Sequence, residues 1–157
     1  MIRIVDAEPR HVGMIARQMS ESDCARFIGL GRDPRRVIRG FFRQSSYRRT
    51  ALLDDEPIAL WGVTGSLMSP AGLFWLQLSR AAKKFPLRVV KEGRTELARI
   101  MEMRHEIVCY LHHDDTVAMR FAKFFGFEIA EPAMIEGIGF VARRGSLRRI
   151  EIEPWPF

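Results

Sequence analysis

The chain has 157 residues, 47% hydrophobic and 28% charged, with a formal net charge of +6 at pH 7, values that suit one globular domain with a substantial core. No run approaches the roughly 20 apolar residues that span a bilayer, and two cysteines far apart, Cys24 and Cys109, make no disulfide framework. The opening MIRIVDAEPR has no long apolar core before a cleavage site, so the expectation is a reduced, soluble protein made in the cytoplasm.

Ile2 to Val5 predicts a strand, and Asp6-Ala7-Glu8-Pro9 the entrance of a helix with proline in an early position. That helix places Val12, Ile15, Ala16 and Met19 on one side. Ser20 to Gly31 is less regular, with Phe27, Ile28 and Leu30 as anchors. Asp33-Pro34 opens another helix carrying Val37, Ile38, Phe41 and Phe42. From Tyr47 the pattern is β. Thr50 to Leu53, the turn Asp54-Asp55-Glu56-Pro57 and Ile58 to Val63 predict a hairpin with carboxylates at its tip. No histidine or distant carboxylate is tied to those acids by spacing, so they read as a solvated turn and not as a metal site. Ser69-Pro70-Ala71-Gly72 breaks the chain again before a strand at Leu73 to Leu78.

The next segment, SRAAKKFPLRVVKEG, has no glycine before Gly93. Pro86 opens a helix patterned by Val90, Leu97, Ile100 and Met101, and Gly93 within it reads as a close-packing point. Ile107 to Leu111 is a nearly all-apolar run, as expected of a strand buried on both faces. After the turn His112-His113-Asp114-Asp115 the period changes. Val117, Phe121 and Phe124 follow at helical spacing, widened by Ala118 and Phe125, with Asp115 as cap and Gly126 as stop.

The order strand, turn, helix, stop, strand over Glu106 to Phe127 resembles the last part of the GNAT superfamily of N-acetyltransferases. Its helix there has the form N-x-x-A-x-x-F-Y-x-x-x-G-F, and this chain gives D-x-x-A-x-x-F-A-x-x-x-G-F. Ala118, Phe121, Gly126 and Phe127 match. Asp115 replaces the usual Asn, and Ala122 stands where many members carry a tyrosine that protonates the departing coenzyme A thiolate. From Tyr110 to Phe127 the chain is similar to GNAT-like proteins of tailed phages and prophages, some of them internal virion proteins. The resemblance implies an α+β fold, a GNAT-like, mostly antiparallel central sheet flanked by helices, in a single domain over residues 1–157.

It also implies where chemistry would sit. Family members follow the strand corresponding to Leu73 to Leu78 with Q/R-x-x-G-x-G/A, whose amides approach the coenzyme A pyrophosphate at a helix start. This chain lacks those glycines. Arg80, Lys83 and Lys84, with Asp115, are the candidate cofactor-binding residues, and acetyl-CoA is the cofactor if the protein is an enzyme. His112 and His113 are the candidate catalytic residues, taking a proton from an acceptor amine. The plain alternative has both in an exposed turn, with no third ligand for a metal. Cys109 reads as a small core residue.

Beyond Phe127, Glu128 to Ala130 predicts a strand ended by Glu131-Pro132, with Gly137 to Val141 as its partner. Gly137 and Gly139 mark a bulge or a close backbone approach. Leu147 to Ile152 predicts a further short strand, and Pro154-Trp155-Pro156-Phe157 is a stiff tail, with 145–157 as a docking segment that packs on its own domain or on a neighbour. Arginine pairs recur at Arg35-Arg36, Arg48-Arg49, Arg143-Arg144 and Arg148-Arg149. They suit nucleic-acid phosphate, acidic protein or coenzyme A phosphate, or simply solvated faces, and no stacking aromatics accompany them. Three functions therefore stand: a non-catalytic virion or ejection component contacting phage structural proteins, a divergent acetyltransferase, and a basic nucleic-acid-associated module.

Overall fold

A computed structural model describes residues 1–29, 31–66, 68, 71–112, 115–129 and 140–145. Leu30, Leu67, Ser69-Pro70, His113, Asp114, Ala130 to Gly139 and Ser146 to Phe157 lie outside these, and with them the expected strand end, the glycine bulge, Arg148-Arg149 and the aromatic tail. Among the described residues seven strands, β1 (Ile2–Asp6), β2 (Ser45–Leu53), β3 (Glu56–Thr64), β4 (Ala71–Leu78), β5 (Glu106–Leu111), β6 (Glu128–Ile129) and β7 (Phe140–Gly145), run in the order β1-β2-β3-β4-β5-β7-β6, and the chain divides into two compact units, Met1–Thr64 with Trp75–Pro86, and Gly65–Phe74 with Leu87–Phe157.

In the first unit, β1 (Ile2–Asp6) pairs antiparallel with β2 (Ser45–Leu53), and β2 pairs antiparallel with β3 (Glu56–Thr64). The first strand is a sheet edge. The hairpin turn is tighter than expected. It consists of Asp54 and Asp55 alone, at φ 49° and 69°, the geometry of a two-residue type I′ turn. Pro57 belongs to β3 and is buried, and the register slips between Ala51 and Leu52 opposite it, which accommodates a residue with no N–H for the ladder.

Three helices precede β2. α1 (Pro9–Arg17) starts with proline and a reciprocal cap between Glu8 and His11, and buries His11, Val12 and Ile15. α3 (Pro34–Gln44) is capped by Asp33, whose carboxylate accepts from the Arg36 N–H at 3.2 Å, and buries Val37, Ile38, Phe41 and Phe42. Each such side chain contributes about 1.5–3 kcal/mol of transfer energy. Between them, Ser20 to Gly31 is more regular than the sequence suggested. Glu21–Gly29 is a helix, α2, started by the Ser20 hydroxyl, which accepts from the Asp23 N–H at 3.2 Å. None of its residues is buried and Ile28 is 68% exposed, so Ile28 is no anchor and apolar spacing gave no helical signal.

The strand β4 (Ala71–Leu78) is shared by the two units. In its second half Trp75 stacks on Phe41 at 5.7 Å and donates from Nε1 to Ser45 Oγ at 2.7 Å, and Ser45 in turn donates to the Phe41 carbonyl at 2.7 Å. Gly62 lies against this chain of bonds. A Cβ there would meet Tyr47 O at 2.7 Å and both Ser45 Oγ and Trp75 Nε1 at 2.9 Å.

In the second unit, β5 (Glu106–Leu111) runs parallel to the first half of β4 and antiparallel to β7 (Phe140–Gly145), which pairs with β6 (Glu128–Ile129). Every β5 residue but Tyr110 is buried, as expected of a strand covered on both faces. The long helix α4 (Pro86–Met103) opens at the expected proline. Gly93 is the close-packing point anticipated: a Cβ there would lie 2.7 Å from the Phe125 ring. Arg104, 4% exposed, donates to the carbonyls of Gly65 and Ser66, and burial lowers its pKa.

The helix α5 (Thr116–Phe124) differs from expectation in the face it buries. Val117 and Phe124 are 52% and 59% exposed and Ala122 is buried instead, while Phe125 is buried as the apolar face implied. The Phe125 ring occupies the room that Gly93 leaves, so the inward face is set by fit and not by apolar content alone. Gly126, at φ 84°, stops the helix, and the Phe127 N–H returns to the Ala122 carbonyl at 2.9 Å.

Candidate functional site

The connection after β4 is drawn inward by its own backbone. The Ser79 N–H donates to Ile58 O at 2.9 Å and the Arg80 N–H to Gln18 O at 2.8 Å. Fully buried Ser79 accepts at Oγ from the Ala82 N–H at 3.4 Å. A 3-10 turn, Ala82–Lys84, then directs the Lys84 N–H to Ala81 O at 3.2 Å and the Phe85 N–H to Ala82 O at 3.0 Å. Pro86 has no N–H at all. A main-chain phosphate cradle needs amides left over for the oxyanion, and here five are already bonded within the protein. That leaves at most the Ala81 and Lys83 amides of this connection for the task.

Its side chains divide. Lys83 Nζ is held at 2.9 Å by Ser20 Oγ and at 3.2 Å by Asp23, which also takes Arg26 at 2.9 Å. Lys83 is thus tied to α2. Arg80 and Lys84 are exposed and form no ion pair among the described residues. They can offer charge to a phosphate without first breaking an internal bond.

In the other unit, Asp115 is the expected cap, accepting from the Ala118 N–H at 3.0 Å, while its own N–H donates to His112 O at 3.1 Å. A carboxylate that serves the first turn of α5 in this way has a structural task already. His112 is half-buried just past β5. Its companion candidate, His113, is outside the described residues. Ala122 is 5% exposed, so no hydroxyl stands at its place on α5. The phenol of Tyr110 is half-buried in β5, and burial raises its pKa, so it holds its proton more firmly than a free tyrosine.

One polar network was not legible in the sequence. His11, 2% exposed, receives the Glu8 N–H at Nδ1 over 3.1 Å and lies 2.9 Å from Thr50 Oγ1. Since an amide only donates, Nδ1 is an acceptor, Thr50 donates to it, and the ring proton sits on Nε2. Burial pushes the His11 pKa below 6.5, opposed by Glu8 and aided by Arg10. The residue at the third position of a helix, normally Glu in a capping box, was the one signal available.

At the hairpin tip the amino terminus lies 3.3 Å from Asp54, and Arg3 pairs with Asp55. Among the described residues no three His, Cys, Asp or Glu side chains form a group that could hold a metal ion, and no helix is long and apolar enough to cross a membrane. Cys24 and Cys109 are not joined in a disulfide.

No protein-family model matches the chain, and no curated protein matches it. Solved structures do. The aminoglycoside acetyltransferase AAC(6')-Ib, in complex with ribostamycin and coenzyme A, aligns over 92% of this chain and 93% of its own at TM-score 0.68 and 15% identity. The PaiA N-acetyltransferase of Thermoplasma acidophilum, in complex with coenzyme A, aligns over 93% and 99% at TM-score 0.62 and 15% identity. A GNAT-family acetyltransferase from Streptococcus pneumoniae aligns over 91% and 96% at TM-score 0.55 and 12% identity. At these identities the likeness establishes the fold: the chain has the GNAT architecture.

Proposed function

We propose that the chain is a divergent acetyl-CoA-dependent N-acetyltransferase in which the side chains of Arg80 and Lys84, not main-chain amides, receive the cofactor's phosphates. The carrying observation is that these two cations stand exposed directly after β4, with no ion pair among the described residues. They do so on a chain that matches acetyltransferases, several in complex with coenzyme A, along nearly its whole length. The cofactor would supply an acetyl group activated as a thioester. The acceptor amine must lose a proton, and His112 or His113 is the residue proposed to accept it. With alanine at 122, the phenolic donor that many family members use is absent, so turnover slower than theirs is expected.

The test is a calorimetric and thermal-melting titration with acetyl-CoA. A ligand of the folded state at one hundred times its dissociation constant stabilises by about 2.7 kcal/mol, a clear rise in melting temperature. Arg80→Gln with Lys84→Gln should weaken binding about tenfold or more. No heat and no shift with the wild-type protein would defeat this reading.

A second reading has specific support in the bonded amides of residues 79–85 and in Ala122: a GNAT-like phage or prophage protein that does not catalyse and acts through contacts with phage structural proteins, as a virion or ejection component. It predicts that mass spectrometry finds the chain in purified particles, and absence there would remove it. On the first reading the protein works in the cytoplasm where it is made.

A further inference from the structure

Several of the described arginines in this protein are paired where they stand. Arg3, Arg10, Arg26, Arg49 and Arg99 each face a carboxylate, and Arg48 donates to the Phe42 carbonyl and lies over the Phe42 ring. α3 is different. Arg35, Arg36, Arg39 and Arg43 are all exposed, and none of them forms an ion pair among the described residues. The helix, PRRVIRGFFRQ, contains no acidic residue, and the carboxylate ahead of it, Asp33, is engaged by the Arg36 N–H as the cap. Arg36, Arg39 and Arg43 recur at three and four residues, which aligns them along one line of the helix, and Arg35 precedes Arg39 by one turn. Asp33, Arg35, Arg36 and Arg39 line an open surface depression. The Arg35 guanidinium lies across the neighbouring helix α1, within 3.4 Å of where a Cβ on Gly13 would stand.

We propose that this outward face of α3 docks on the phosphate backbone of a nucleic-acid duplex. From Arg35 to Arg43 the helix rises about 12 Å, and one duplex strand presents a charge about every 3.4 Å along its axis, so the stripe meets three or four phosphate intervals. Guanidinium suits this task because it donates in a planar fork to oxyanions. The same face argues against other anionic partners. Its apolar residues, Val37, Ile38, Phe41 and Phe42, are all buried in the core, so no apolar side chain remains outward to enter a bilayer or to form the dry centre of a protein interface. No aromatic side chain stands among the arginines to stack an unpaired base, which favours a duplex over a single strand.

Fluorescence anisotropy with labelled 20-base-pair duplexes of DNA and of RNA, at about 50 mM and 200 mM salt, tests the proposal. Binding of either duplex is expected, in the micromolar range at low salt, and the tighter of the two identifies the source. The logarithmic salt slope should be about −3 for three to four contacts. Arg36→Gln/Arg39→Gln/Arg43→Gln should lower affinity at low salt about tenfold or more and flatten the slope by about 2.7. Arg88→Gln/Arg120→Gln/Lys123→Gln removes the same charge from exposed positions on α4 and α5 and should change binding far less. All six side chains are exposed, so circular dichroism melting should show each variant folded. The proposal is overturned by absence of duplex binding at low salt, by an equal loss in the α4/α5 variant, or by tighter binding to single strands, phosphatidylserine vesicles or polyglutamate.

Discussion

The Gly93–Phe125 contact can be tested by adding a single methyl group. In Gly93→Ala the new Cβ would stand 2.7 Å from Cε1 and Cζ of Phe125 and 3.6 Å from Cε2. Carbon atoms settle at about 3.5–4.0 Å, so the ring must retreat by about 0.8 Å or more. It has little room, being 6% exposed and stacked on Phe121 at a centroid distance of 6.0 Å. Overpacking of this kind costs about 1–3 kcal/mol. Against it, alanine favours the helix over glycine by about 1 kcal/mol. The clash should prevail, leaving the variant about 1 kcal/mol less stable than wild type. In a Phe125→Leu background the ring is gone and the sign should reverse, with Gly93→Ala stabilising by up to about 1 kcal/mol. Urea denaturation of the four proteins, at unchanged m-values, closes the cycle, with a coupling of about 2 kcal/mol expected. If Gly93→Ala stabilises both backgrounds equally, the contact does not constrain α4 against α5 and the reasoning fails.

Gly62→Ala is the harsher substitution. Its Cβ meets a backbone carbonyl and both ends of the Ser45–Trp75 hydrogen bond, none of which yields cheaply, so a loss of about 3 kcal/mol is expected by denaturant titration, and a loss under about 1 would contradict the geometry. For His11, folding lowers the pKa below 6.5, so the unfolded chain takes up a proton first. The stabilisation is therefore full above 6.5 and is lost as pH falls through the folded-state pKa; His11→Gln should flatten the stability-versus-pH curve in that acid range, and an unchanged curve would acquit the imidazole. Asp115→Ala should lose about 1 kcal/mol of helix capping while Asp115→Asn keeps most of it, and equal losses in a thermal melt would mean the cap contributes little.

Elements with strong local chemistry were the legible ones. Pro34 after Asp33, Pro86 before an apolar period, Asp115 ahead of α5 and Gly126 behind it fix helix ends by φ preference and by side-chain acceptors, and the structure places each as read. Where packing decides, the pattern was misleading. Val117, Phe121 and Phe124 made a convincing apolar line, yet Val117 and Phe124 face outward and, of that face, it is Phe125 that fills the room left by Gly93, a choice that needs both helices at once. α2 was missed for the opposite reason, since a helix with no buried residue carries no apolar period to find. Among the candidate site residues, the sequence named Arg80, Lys83 and Lys84 together as cations. Only the tertiary pairing of Lys83 with Asp23 and Ser20 separates it from the other two.

On the proposed reading, that separation would let the GNAT architecture persist while the contacts to a cofactor's phosphates differ. The residues that hold the fold, such as Gly62 against Trp75, Gly93 against Phe125 and Gly126 in a left-handed turn, are constrained by contacts under 3 Å or by positive φ, and few substitutions satisfy them. The connection after β4 is under no such limit. There the Ser79 and Arg80 amides are bonded to Ile58 and Gln18, and redirecting them to a phosphate would forfeit about 0.5–1.5 kcal/mol for each bond lost. A ligand held by main-chain amides would have to repay that loss, whereas one held by Arg80 and Lys84 would not, at the expense of being screened by salt. The local hydrogen bonding thus favours charge over cradle for any phosphate that binds at residues 79–85, and it does so without disturbing the scaffold on either side.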